Sequence, residues 1–178
     1  MKTEPTPKGG ASEAIPGSNT IASELVKKLI SNYRDNQMQA VNKELGITDS
    51  QSIWFDLAKL KNFIACIENE ARNANPDVSE ADLGIRFYYA AYPKADDWGI
   101  MESHPVEREY AERHTLVMIP TLKKEDENGD MLNYDFCPSN NGSTLALASR
   151  KQALNSLTLA ENHGTLSPPD NPKTEMFP

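Results

Sequence analysis

The run Gly84-Ile85-Arg86-Phe87-Tyr88-Tyr89-Ala90-Ala91-Tyr92-Pro93, with its later companion His114-Thr115-Leu116-Val117-Met118-Ile119-Pro120-Thr121, decides the fold. Both runs are β-branched and aromatic, and Gly84 and Pro93 punctuate the first. Side chains alternate across a strand. Ile85, Phe87, Tyr89 and Ala91 therefore share one face, and Arg86, Tyr88, Ala90 and Tyr92 share the other. Upstream, Asp56 reads as a helix N-cap behind which Leu57, Leu60, Phe63, Ile64, Ile67 and Ala71 form one apolar stripe, ending near Asn73 before Pro76. A helix stripe and a strand face of this kind must bury against each other. The expectation is one α+β domain over residues 19–170, a small mainly antiparallel sheet with helices packed on one face.

Working outward, Ile21, Leu25, Val26, Leu29, Ile30 and Tyr33 recur at helical spacing and predict a helix from Thr20 to about Asp35, capped by Ser18 or Asn19. Met38, Val41 and Leu45 can extend it to Gly46, which suits a left-handed stop. Thr48-Asp49-Ser50 reads as a turn, and Ile53 to Phe55 as a strand stub or a helix lead-in. Residues 94–113 form a long polar connection, read as a lid or excursion with a short helix opening at Pro105. Asn128-Gly129 predicts a tight hairpin with Met131–Phe136 as its return strand. A weaker helical stretch covers Leu145 to Leu159. The Pro-, Gly- and Ser-rich residues 1–18 predict a disordered tail, and 171–178 an extended one.

Composition narrows the function. A chain of 178 residues with 26 acidic and 18 basic residues, net charge −8, lacks the basic footprint of a nucleic-acid partner. No apolar stretch approaches the roughly 20 residues of a membrane span, and no secretory h-region opens the chain, so a cytoplasmic location is expected. Two cysteines, Cys66 and Cys137, define no disulfide framework and read as reduced thiols. Lys124 at the first ligand position spoils the calcium-loop likeness of Asp126, Asn128 and Gly129. Glu102, His104, Glu107, Glu112 and His114 could ligate a metal but lack a His-Glu-x-x-His spacing, and no metal or cofactor is expected.

Ser52-Ile53-Trp54-Phe55-Asp56-Leu57, Gly84-Ile85-Arg86-Phe87-Tyr88, Ala91-Tyr92-Pro93, Thr115-Leu116-Val117 with Ile119-Pro120-Thr121, and Gly164-Thr165-Leu166-Ser167-Pro168-Pro169 together resemble a group of short, uncharacterised bacterial proteins. The resemblance spans most of residues 20–170. It implies domain limits and no activity. Similar proteins often carry cysteines around the Pro-Pro pair, where this chain has Ser167 and Asp170.

Two function classes follow. A face carrying a guanidinium and phenols, Arg86, Tyr88 and Tyr92, suits recognition of a protein or small-molecule partner by a non-catalytic binding or interaction domain. The bland reading of that face is an ion pair from Arg86 to a neighbouring acid, with the tyrosines sealing the sheet. The alternative function is a small hydrolase-like or transferase-like enzyme, with His104, His114 and His163 as acid–base groups converging only in the fold.

Overall fold

The computed structural model describes residues 20–136 and 159–169. The expected tails at 1–18 and 171–178, the expected late helix up to its last residue, and Cys137 lie outside the described residues. What is described is a small α+β fold with a three-stranded and a two-stranded antiparallel sheet.

The first described element is a long helix that runs on to Gly46, the extension that Met38, Val41 and Leu45 allow. Helix α1 (Ser23–Asn32) passes through a π-helical stretch (Tyr33–Met38) into α2 (Gln39–Leu45). The joints Tyr33 and Gln39 keep right-handed helical angles, so the axis continues. The stop is Gly46 at φ 67°, where its amide closes on the Asn42 carbonyl at 2.9 Å. The start differs from expectation: Ala22 holds the cap position, and no side chain caps it.

Strand β1 (Ser52–Trp54) resolves the ambiguous stub as a strand. Asp56 then caps α3 (Leu57–Ala74), accepting from the Lys59 amide at 3.0 Å. Strand β2 (Leu83–Ala91) pairs antiparallel with β3 (His114–Glu125), which pairs with β4 (Met131–Asp135), giving the order β2-β3-β4. The turn before β4 has only Gly129 at positive φ, 88°, rather than Asn128 and Gly129 together. A bond of 3.1 Å from the Gly129 amide to the Asp126 carbonyl marks the three-residue loop that ends in a left-handed glycine.

Sheet parity sets the layers. Leu83, Ile85, Met118 and Leu122 share the face that α3 covers with Leu60, Phe63, Ile67 and Ala71. Each fully buried large member, such as Phe63, Ile67 or Met118, contributes about 1.5–3 kcal/mol, and Ala71 and the part-buried members less. A second apolar nucleus gathers Tyr92, Tyr110 and Leu166, with Ile53, Trp98, Met101 and Val106 around them. That nucleus corrects the reading of 94–113. The connection holds two short 3-10 turns, Ala95–Met101 and Arg108–Tyr110, with Pro105 in neither; its Trp98, Met101, Val106 and Tyr110 pack into this nucleus, whereas Ile100 stays exposed. Strand β5 (Thr165–Ser167), which the sequence did not announce, pairs with β1, so the Ser52-Ile53-Trp54 and Thr165-Leu166-Ser167 motifs meet.

The long helix departs most from expectation. It was expected to lay its stripe on the Ile85-Phe87-Tyr89 face, yet α1 has no buried residue. Ile21, Leu25, Leu29, Phe87 and Tyr89 are all exposed. In the middle of the helix, Tyr33, Gln37 and Val41 share a groove with the ends of β2 and β3.

Candidate functional site

The groove holds about 540 Å³ between the middle of the long helix, the loop into β1, and the ends of β2 and β3. Tyr33, Gln37 and Val41 line it from the helix, Ile53 from β1, Tyr89 from β2, and His114 and Leu116 from β3. Local structure explains the helical wall. Bonding in the π stretch widens the turn, so residues four apart (33, 37 and 41) fall along one line. The sheet wall follows from register: Tyr89 lies opposite Leu116, so both occupy the same face as Ile85 and Phe87.

At one end of the groove, Asp49 holds His114. Asp49 is fully buried. Its Oδ1 accepts from the amides of Ser50 and His114, each at 2.8 Å, and its Oδ2 bonds the Nδ1 of the His114 ring. Its own amide donates to the Asn42 side chain at 2.8 Å, tying the loop to the end of α2. Ser50 adds a bond from its hydroxyl to the His114 carbonyl at 3.3 Å. A carboxylate accepting from Nδ1 fixes the ring's tautomer and leaves Nε2 as the atom a ligand can reach. The ring is part-exposed, consistent with that opening. Burial, then the Asp49 charge, then Tyr89 push the Tyr33 phenol above its ordinary value, so Tyr33 offers a protonated hydroxyl here.

The residues singled out from sequence are distributed differently. Arg86 and Tyr88 lie on the sheet face opposite α3, both partly exposed, and both bond the Asp135 carboxylate of β4. Arg86 also donates to the Asn133 carbonyl at 2.8 Å, so one side chain braces β2 to β4 across β3. The Tyr88 hydroxyl, followed by the Asp135 charge, holds the guanidinium above its ordinary value despite some desolvation. Tyr92 does not join them. It follows the last residue of β2 and is 5% exposed, its ring 5.7 Å from that of Tyr110 and its hydroxyl donating to the Asn162 carbonyl at 3.2 Å. The expected three-residue surface is therefore two residues, and its polar ends are already engaged by Asp135.

Of the three histidines, His104 and His163 stack at 5.9 Å, with His163 Nδ1 3.3 Å from Glu161. Neither lines the groove, which takes His114 alone. Among the described residues no group of three or more His, Cys, Asp or Glu side chains is placed to hold a metal ion. Cys66 lies exposed and unbridged on α3. No described helix is long and apolar enough to cross a membrane.

Sequence reading named His114 and missed Asp49, its partner 65 residues away. The only available signal was a carboxylate inside the turn Thr48-Asp49-Ser50, and turns recruit such residues for purely local reasons. No protein-family model, curated protein or solved structure matches this chain.

Proposed function

We propose that this chain is a non-catalytic binding domain whose ligand seats an aromatic or aliphatic group in the groove and a polar end against His114. The observation that carries this reading is the pairing of a mainly apolar groove with one histidine oriented by a fully buried carboxylate. Apolar walls supply affinity, and a few fixed polar groups supply orientation. Tyr33 and Tyr89 line the groove, and each brings an aromatic ring with a hydrogen-bonding hydroxyl at its tip.

Neutral aromatic alcohols are the appropriate probes, since a hydroxyl can donate to the Nε2 that the Asp49 bond leaves as an acceptor. Phenethyl alcohol and indole-3-ethanol should shift the backbone resonances of Tyr33, Tyr89, His114 and Leu116. Leu116→Glu, which puts a charge on the apolar wall, should abolish those shifts, and Arg86→Ala should leave them intact. Shifts confined to Arg86, Tyr88 and Asp135 would move the binding function to the other sheet face.

One observation favours a second reading. Asp49 and His114 together have the arrangement of an orienting carboxylate and a general base. An enzyme of this kind would turn over an activated aryl ester at a rate that His114→Gln eliminates. Turnover insensitive to that change would leave the binding reading in place.

A further inference from the structure

We propose that two copies of this chain pair antiparallel along the free edge of β2, with Phe87 on the two-fold axis, joining their three-stranded sheets into one continuous sheet. Strand β2 is the outer strand in the order β2-β3-β4, and its nine residues pair one-for-one with β3 from Leu83↔Leu122 to Ala91↔His114. Among the described residues, no backbone group of β2 bonds to anything on its outer side. Edge strands are ordinarily protected by proline, lysine, a bulge or shortness. Leu83–Ala91 has none of these protections. Its one charge, on Arg86, is held by Asp135 on the sheet's own face.

The sequence of the strand selects the occupant. A two-fold at Phe87, the middle of the strand, sets all nine residues against their counterparts. Phe87 then faces Phe87 of the second copy, and each Ile85 faces a Tyr89. Each Arg86 stands opposite a Tyr88, and both side chains reach back across β3 to their own Asp135, leaving the seam to the apolar pairs. The aromatic side chains along the strand are open to solvent: Phe87 is 53%, Tyr88 42% and Tyr89 92% exposed. Centring one residue earlier would take Phe87 off the axis, set it against Ile85 and lose the aromatic pair. In the Phe87 register the two guanidiniums stay over β4, each on its own Asp135 and Asn133, clear of the seam. An interface that contacts itself in this way is isologous and closes at two copies.

Sedimentation velocity over a rising concentration series tests the proposal. The wild-type chain should sediment as a dimer, and Phe87→Lys, which opposes two ammonium groups on the axis, should sediment as a monomer with an unchanged circular dichroism spectrum. A covalent arm decides the matter if that variant fails to fold. Antiparallel neighbours lie about 4.5–5.5 Å apart between Cα atoms, within reach of a disulfide. In a Cys66→Ser, Cys137→Ser background, Phe87→Cys should cross-link two chains in a glutathione redox buffer, and Lys61→Cys, on exposed α3, should not. A wild-type monomer throughout the series overturns the proposal, as does a dimer that survives Phe87→Lys or fails to cross-link through Phe87→Cys.

Discussion

Asp49 is a single buried carboxylate serving three donors, two amides and an imidazole ring. Asp49→Asn turns one acceptor into a donor facing a donor, so the expected loss is about 2–4 kcal/mol. His114→Ala removes only the ring and leaves both amide bonds in place, for an expected cost of about 1–2 kcal/mol. Urea unfolding of the two variants should rank them in that order; the reverse ranking would mean the ring, not the carboxylate, organises the loop. Arg86 is the contrasting case. Its pairing with an acid on a neighbouring strand was one of the two readings open from sequence, but its side chain is 40% exposed. Solvent screening then limits the expected cost of Arg86→Ala to about 1 kcal/mol. A thermal melt lowered by about 2–4 °C is the corresponding outcome for a chain of this size. Arg86 was legible because alternation exposes a charged residue in an apolar strand. Asp49 was not, because its meaning lies in the partner that β3 brings to it.

Elements show the same division between pattern and context. Helix α3 and strands β2 and β3 were legible from periodicity and punctuation, and Asp56 caps where its position implied. The pairing of β1 with β5 was invisible, since Thr165-Leu166-Ser167 is too short to show any period. Gly164, just before β5, makes that pairing possible. A Cβ there would lie 2.4 Å from Ile53 Cγ2 and 2.7 Å from Phe55 Cζ. Gly164→Ala should therefore cost about 2–3 kcal/mol through overpacking. Gly46→Ala meets no atom within 4 Å, and its cost is conformational only, about 1–2 kcal/mol at φ 67°. Equal denaturation midpoints for the two variants would show that β1 and β5 can separate without loss. The stripe on α1 was legible too, but a stripe states only that a surface is apolar, not what covers it. Leu25 and Leu29 remain exposed.

Across the whole molecule, two phenols set an upper pH limit. Burial, opposed in part by the Thr115 hydroxyl and supported by Glu161, raises Tyr92 above 10.0. Burial, with Asp49 and Tyr89, does the same for Tyr33. A folded value above the unfolded one means the folded state holds its proton longer. The stabilisation is complete below pH 10.0, the unfolded value, and disappears as pH rises through the folded values. Each phenolate also adds to a chain already at −8, so self-repulsion acts in the same direction. By contrast, the carboxylates held below their ordinary value, Asp82 by Ser79 and Asp126 by the Asp130 and Asn128 amides, lie part-exposed at chain turns. Their stabilisation exists above the unfolded carboxylate value, falls away as pH drops through the folded value, and is screened by solvent throughout. The melting temperature should therefore fall more steeply on the alkaline side above pH 10.0 than on the acid side near the carboxylate range. Phenolate absorbance should show late-titrating tyrosines, and Tyr33→Phe and Tyr92→Phe should each remove part of that late amplitude. Because Asp49 is the second cause at Tyr33, Asp49→Asn should move the Tyr33 share earlier and leave the Tyr92 share in place. An unmoved Tyr33 titration in that variant would show that the phenol responds to burial and Tyr89 only and that Asp49 exerts no charge on the groove.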